Sequence, residues 1–293
     1  MRLLITGAAG LLGGRLAECL ATRFDIVAGY HLALPPPGLN TCHLDVTSEA
    51  ELHAAVARVR PDAIVHSAAV AEADRCEHAP EEAERINVEA SRKIARLCRA
   101  AGIRLVALST DLVFDGNGTW YTEASRAVSN LIYGRTKLAG EETILSECPD
   151  AAVARVALVI GRGFGPRGTA SEGIAWRLAA GQSLRLFSDQ YRSPVAADSV
   201  ADALARLLAG NQVGRFHLGG TERISRLDLG QRVARVLGLP SGTIECVRQA
   251  DSPLGVPRPS DVSLDSSRAQ RELNWTPLPL DEAIRQGRPK PAR

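Results

Sequence analysis

The sequence predicts an α/β protein, a doubly wound parallel sheet with a smaller α/β lobe toward the C-terminal side. Two observations predict it. Short apolar runs recur between helical patterns through the first 160 residues, and a glycine-rich turn joins the first run to the first helix. After Leu3 to Ile5, the runs are FDIVAGY at 24–30, DAIVHSAA at 62–69, IRLVALST at 103–110 and AAVARVALVIG at 151–161. Strands separated by helices pair in parallel and carry helices on both faces.

The first element is the most specific. In MRLLITGAAGLLGGRLAECLA the apolar run meets Gly7, Gly10 and Gly13, spaced GxxGxxG, and a helical pattern follows with Leu12, Leu16 and Leu20 on one side. Strand, turn and helix in that order suit a pyrophosphate. The glycines let the backbone turn tightly and approach the anion, and the helix N-terminus offers it free N–H groups. The alternative is a merely tight strand-to-helix turn. Parallel sheets bind ligands at the carboxyl ends of their strands, where Gly7, Ser67-Ala68-Ala69 and Ser109-Thr110 fall. These features together describe a Rossmann-type domain.

A second feature lies at 131–142, LIYGRTKLAGEE, which reads as helix. Tyr133 and Lys137 are four residues apart and so share a face. A nearby ammonium favours the phenolate, which predicts a Tyr133 pKa below its usual value near 10, suited to proton transfer at a carbonyl. The alternative is a surface tyrosine beside a solvated lysine.

Composition agrees with an enzyme that binds a small molecule. The 293 residues are 45% hydrophobic and only 4% aromatic, and 35 basic against 33 acidic residues leave a net charge of +2. That balance offers no electrostatic footprint for nucleic acid, and the basic tail GRPKPAR reads as a frayed terminus. No apolar run approaches the ~20 residues needed to span a bilayer, and the N-terminus enters the first strand directly, so a cytoplasmic protein is expected. Cys19, Cys42, Cys76, Cys98, Cys148 and Cys246 lack CxxC or CxxH spacing, which indicates neither a metal site nor a disulfide framework. LALPPPGLN at 32–40 reads as a stiff surface loop, and SPLGVPRPSDV at 252–262 as a proline-punctuated crossing.

Over nearly its full length the chain resembles the extended short-chain dehydrogenase/reductase family, and within it the dTDP-4-dehydrorhamnose reductase branch. The pieces that carry the resemblance are TGAAGLLGG, Asp45 in HLDVTS, HSAAVAEADRCEHAPEEAERIN, STDLVFDG, YGRTKLAGE, DQYRSPVAADSVADAL and RPSDVSLDSSRAQRELNW. The resemblance implies NAD(P)H-dependent reduction of a keto group on a sugar nucleotide. Tyr133 would give a proton to the carbonyl oxygen, Lys137 would hold the nicotinamide ribose, and Thr110 would hydrogen-bond the same oxygen. Asn87 stands where the family keeps an Asn that supports the proton relay; a helix-borne Asn is also commonly structural. The implied cofactor contacts are Gly7, Ala9, Gly10, Leu11, Leu12, Gly13, His31, Asp45, Val46, Ser67, Ala68 and Ala69, with Tyr133 and Lys137. Asp45 before Thr-Ser is equally readable as a helix-cap element. The second strand ends Ala28-Gly29-Tyr30-His31 without an acid for a ribose 2′-hydroxyl, whereas His31 and Arg15 could face a 2′-phosphate; NADP is preferred over NAD.

The resemblance further implies a substrate lobe at about 161–193 and 223–293, interleaved with a dinucleotide domain at 1–160 and about 194–222, because 194–210 reads as a helix returning to it. Asp111, Leu112, Leu158, Asp189, Gln190 and Arg258 fall in segments that line the family's nucleotide-sugar cleft. Three departures bear on the sugar. Leu112 replaces an aromatic, Arg155-Val156-Ala157-Leu158-Val159-Ile160-Gly161 loses a Trp and a Tyr, and RGFGPRGTASEG replaces an Asn-rich segment. An epimerase of the same fold and a non-catalytic regulatory subunit like the methionine adenosyltransferase beta subunits are the alternatives. Leu112 after Asp111 speaks against a dehydratase, which carries Asp-Glu there. The expected partner is a nucleotide sugar, with a homodimer left open.

Overall fold

The computed structural model describes residues 1–251, 256 and 258–287. Residues 288–293 of the basic tail, and 252–255 and 257 of the crossing at 252–262, lie outside the described residues. Seven parallel strands form the main sheet: β1 (Arg2–Thr6), β2 (Asp25–Tyr30), β3 (Asn40–His43), β4 (Ala63–His66), β5 (Arg104–Thr110), β6 (Ala152–Val156) and β7 (Gly214–Leu218). Their spatial order is β7-β6-β5-β4-β1-β2-β3, so the order reverses beside β1 and β4. Helices separate them except between β2 and β3, which a loop at 31–39 joins.

Period-two alternation sends each strand into two cores. Leu3, Ile5, Val65, Val106, Leu108 and Ala154 face one side, where α1 (Leu11–Leu20) packs; Leu4, Ile64, Leu105 and Val153 face the other, with α2 (Glu49–Val59) and α3 (Ala90–Ala101). Next come α4 (Ile132–Glu147), α5 (Ala170–Ala179), and α6 (Ala197–Ala209), which packs on α1. Ser48 caps α2 by accepting from the Glu51 N–H at 3.3 Å, and Thr169 caps α5 in a capping box with Glu172.

The smaller lobe has its own core of Ile160, Ile174, Leu178, Leu184, Leu229 and Ile284. It is built from α5, α7 (Arg226–Leu237) and three two-stranded pairings, of which Tyr191–Arg192 against Ile224–Ser225 borders the cleft. The lobe boundary expected at 223–293 does not follow this packing. Val262, Leu264 and Trp275, with Ala269 and Leu273 on α8 (Ser267–Leu273), bury in the main core, and Trp275 Nε1 donates to Ser199 O at 2.8 Å. The chain returns to the lobe at α9 (Leu280–Gln286). Among the described residues, no helix is long and apolar enough to cross a membrane.

Candidate active site

The carboxyl ends of β1, β4 and β5 open into one cleft of about 790 Å³. Its first wall is the glycine loop. Gly7 has φ +66°, and a Cβ there would stand 2.7 Å from the Ala68 backbone; at Gly13 a Cβ would stand 2.3 Å from Gly7 O. A side chain at either position would collide. Gly10 is the N-cap of α1 with no side chain capping it, and the first turn carries no acid. The N–H groups there are left to an anion, and the helix dipole favours one. Thr6 Oγ1 accepts from the N–H groups of Ser67 and Ala68, both at 3.2 Å, and hydrogen-bonds His66 Nδ1 at 2.8 Å. These bonds pin the β1 and β4 ends together. Burial first, then the Lys137 ammonium, pushes the His66 pKa down to about 3, so that imidazole is neutral. This wall fits the pyrophosphate of a dinucleotide in shape and in donors.

The second wall carries the reacting groups. Tyr133 and Lys137 stand one turn apart near the start of α4, and both line the cleft with Thr110. Thr110 Oγ1 donates to Asp111 Oδ1 at 3.1 Å and accepts from the Leu112 N–H at 3.2 Å. Lys137 Nζ donates to Leu108 O at 2.8 Å. Burial pushes the Tyr133 pKa up; the nearby Thr110 hydroxyl opposes this and the Asp111 charge adds to it. The expectation that Lys137 lowers it is therefore wrong for the free chain. The phenol keeps its proton, the state a donor needs. Burial draws the Lys137 pKa down to about 8 against the pull of Glu141.

Behind that wall Glu141 is a buried hub. It accepts from Arg155 Nη2 at 2.7 Å, Arg155 Nε at 2.9 Å, Arg215 Nε at 3.0 Å and the Ser109 hydroxyl. Burial raises its pKa, but the Arg155 bonds and charge outweigh that and hold the carboxylate ionised.

The third wall has open valences. Asp111 Oδ2, Gln190 Nε2, Arg226 Nη1 and Arg258 Nη1 are sealed from solvent without a hydrogen-bond partner among the described residues, and all four side chains line this cleft. Asp111 Oδ2 is 3.7 Å from Arg192 Nε, an ion pair too long for a hydrogen bond. Burial pushes the Asp111 pKa up against Arg192; it draws Arg226 down to about 10, with Arg192 adding and Asp111 opposing. Three donors without acceptors and one acceptor without a donor suit a ligand that carries anionic oxygens beside a hydroxyl.

Most of the residues expected from the sequence line this one cleft: Gly7, Gly10, Leu11, Leu12, Gly13, His31, Asp45, Val46, Ser67, Ala68, Ala69, Thr110, Asp111, Leu112, Tyr133, Lys137, Leu158, Gln190 and Arg258. Others do not. Ala9 belongs to the glycine loop without lining the cleft. Asn87, in a π-helical turn, is spent on the scaffold: Oδ1 accepts from Val70 N at 2.9 Å, and Nδ2 donates to Thr136 Oγ1 at 3.0 Å and Val70 O at 3.2 Å. Arg15 holds Asp198 through Nε and Nη2, both at 2.8 Å, which removes it as a 2′-phosphate contact. Asp189 accepts from Gln249 N at 3.0 Å and does not line the cleft. Asp45 caps the turn at Thr47, accepting from its N–H and hydroxyl at 2.8 Å each, whereas the cap of α2 is Ser48.

The charged cleft residues not expected from the sequence are Glu72, Arg167, Arg192 and Arg226. The last two had a signal. Gln190 and Arg192 are two apart along an extended segment and so share a face, which Asp189 does not. Arg226 is the first residue of α7, where a cation opposes the helix dipole and needs another reason to be there.

The RmlD substrate binding domain profile matches residues 1–287. The probable low-salt glycan biosynthesis reductase Agl14 of Haloferax volcanii is 31% identical, covering 96% of this chain and 95% of that protein. The dTDP-4-dehydrorhamnose reductase of Mycolicibacterium smegmatis is 31% identical over 94% of this chain and 81% of its own. The methionine adenosyltransferase 2 subunit beta of Rattus norvegicus is also 31% identical, over 92% and 81%. Among solved structures, a hypothetical dTDP-4-dehydrorhamnose reductase from Sulfolobus tokodaii superposes with a TM-score of 0.84 at 33% identity, covering 96% of this chain and 98% of that one. WbmG of Bordetella bronchiseptica, in complex with NAD and UDP, superposes with a TM-score of 0.84 at 25% identity, covering 98% and 93%.

Proposed function

The chain belongs to the RmlD substrate binding domain family, the dTDP-4-dehydrorhamnose reductase-like branch of the extended short-chain dehydrogenase/reductases, and from that premise we propose that it reduces a keto group on a sugar nucleotide. The chemistry that a reduced nicotinamide dinucleotide supplies in such a site is hydride transfer to a carbonyl carbon. The chain's own residues do the rest. Gly7, Gly10, Gly13 and the open N-terminus of α1 bind the pyrophosphate. Lys137 orients the nicotinamide ribose. Tyr133, held protonated by burial, gives its proton to the substrate oxygen, and the Thr110 hydroxyl hydrogen-bonds that oxygen as its charge grows. Gln190, Arg226 and Arg258 take the anionic oxygens of the nucleotide, and Asp111 accepts a hydroxyl.

The observation that carries this reading is the meeting of Thr110, Tyr133 and Lys137 in the cleft that also holds the glycine loop. Leu112 and Leu158 stand where the family has polar or aromatic pocket residues, which is why the reading names a keto-sugar nucleotide and not dTDP-4-dehydrorhamnose itself. Tyr133→Phe should lower turnover of NADPH or NADH against keto-sugar nucleotides about 10²- to 10⁴-fold. Dinucleotide affinity should stay within about threefold, since the phenol acts on the substrate. A fully active variant would remove Tyr133 as the donor.

The likeness to the methionine adenosyltransferase beta subunit supports a second reading, a regulatory subunit that keeps the cofactor site. Co-purification with a synthetase at fixed stoichiometry, and no turnover with any keto-sugar nucleotide, would favour it.

A further inference from the structure

The ends of β1 and β4 meet through two buried side chains, Thr6 and His66, neither of which lines the cleft. Counting hydrogens fixes what each does. Thr6 Oγ1 accepts from the Ser67 and Ala68 N–H groups, both at 3.2 Å, which takes up the two lone pairs of a hydroxyl. Its own hydrogen goes to His66 Nδ1 at 2.8 Å, so Nδ1 is the bare nitrogen of the ring. A neutral imidazole bare at Nδ1 carries its hydrogen at Nε2, and that N–H donates to Ser91 Oγ at 3.2 Å. Ser91, at the start of α3, donates onward from Oγ to Asn87 O at 2.8 Å. A second ring hydrogen would find no lone pair left on Thr6, and the Lys137 ammonium opposes the charge it would bring.

The far end of this line reaches the helix that carries the reacting groups. Asn87 O is the carbonyl on which α4 rests: a Cβ at Gly140 would stand 2.4 Å from it and 3.5 Å from Ser91 Oγ. One turn earlier on α4, Thr136 Oγ1 accepts from Asn87 Nδ2 at 3.0 Å and donates to Tyr133 O at 3.1 Å. Thr136 and Gly140 therefore bracket Lys137, in the turn that begins at Tyr133. Hydrogen bonds thus run from Thr6, just before the glycine loop, through His66, Ser91 and Asn87 to the seat of the phenol and the ammonium. None of the four lines the cleft, so none is spent on a ligand.

We infer that His66, fixed as the Nε2–H tautomer, is a positioning residue that holds the dinucleotide wall in register with the helix bearing Tyr133 and Lys137. The inference rests on the reading that the chain reduces a carbonyl with a nicotinamide dinucleotide. In that reaction hydride comes from a cofactor held on one wall and the proton from a phenol on another, and both must meet one carbonyl group. Rate is sensitive to such placement on the scale of an ångström. A rigid ring with an acceptor on one edge and a donor on the other suits the task, because it spaces two hydroxyls without a rotatable bond between its contacts.

The test is a double-mutant cycle on the full chain with Thr6→Val and Ser91→Ala, reading dinucleotide Kd, kcat per folded molecule and stability in urea. Ser91→Ala should lower kcat about tenfold with dinucleotide Kd within about twofold, although Ser91 touches neither ligand. Thr6→Val should lower kcat to a similar degree and also weaken the dinucleotide about tenfold, because it strands the Ser67 and Ala68 N–H groups beside it. The double variant should have a kcat within about twofold of Thr6→Val alone, since either change releases the same tie. Thr6→Ser, which keeps the hydroxyl, should stay within about threefold of the original in both. In the ¹⁵N spectrum, His66, one of six histidines, should show Nδ1 bare and Nε2 protonated from about pH 5 to pH 8. A protonated Nδ1, an unchanged kcat in Ser91→Ala, or kcat losses that multiply in the double variant would overturn the inference and leave the reductase reading standing. If the unsubstituted chain turns over no keto-sugar nucleotide, the reductase reading falls and this role falls with it.

Discussion

Ser109 and Asp111 flank Thr110 at the end of β5, and each leads into a buried charged cluster of opposite character. Ser109 reaches Glu141, whose carboxylate is closed by Arg155 and Arg215. Asp111 opens onto Arg192, Gln190, Arg226 and Arg258, where four polar atoms have no hydrogen-bond partner among the described residues. Both clusters are costly to bury, because a charge out of water must be compensated. The first is compensated within the chain and so fixes the strand end that carries Thr110. The second is left to a ligand. In this fold, whether a buried charge is satisfied separates scaffold from binding surface better than residue type does.

That contrast can be broken at three points. Glu141→Gln should produce the largest change, a loss of about 3–5 kcal/mol in unfolding free energy by urea titration, because it strands two guanidiniums behind the cleft. A loss under about 1 kcal/mol would mean that the hub is not structural. Arg226→Met should leave stability unchanged or slightly higher, since it removes a desolvated cation with an open valence. It should raise KM for a keto-sugar nucleotide about 10- to 100-fold. If it unfolds the chain easily with KM unaltered, Arg226 belongs with the scaffold. The smallest effect is on pH. Lys137 is charged below about pH 8 and loses its proton as pH rises through that value, so kcat/KM should be roughly tenfold lower at pH 9 than at pH 7. Because the Glu141 charge raises that pKa, any folded Glu141→Gln protein should show the same limb at lower pH. A limb that does not move would uncouple the two clusters.

Where the sequence spoke clearly, the signal was local. The apolar runs at 24–30, 103–110 and 151–161 become β2, β5 and β6 because period and burial are written in consecutive residues. GxxGxxG after the first run reads as it folds because Gly13 has no room for a Cβ. Tyr133 and Lys137 share a helix face because four residues are about one turn. In DQYRSP the sequence points to Asp189 and Gln190 alike, and only Gln190 lines the cleft; Asp189 bonds Gln249, 60 positions away. The C-terminal segment divides between the two cores for a similar reason, since Trp275 buries against Ser199.

By itself the sequence determined five of the seven strands of the sheet, the phosphate-binding turn and the Tyr133–Lys137 spacing, all properties of short stretches whose periodicity dictates local geometry. Only the tertiary structure decided which charges are spent and which are open. Arg15 is consumed by Asp198, Asn87 by Thr136 and Val70, and Glu141 by Arg155 and Arg215, whereas Arg226 Nη1 and Asp111 Oδ2 have no hydrogen-bond partner among the described residues. It also reversed the sign of the Tyr133 shift, because burial outweighs a lysine one turn away. The physical reason is common to all of these. Desolvation and pairing are set by neighbours in space, and at this cleft those neighbours come from strands, loops and a second lobe far apart along the chain.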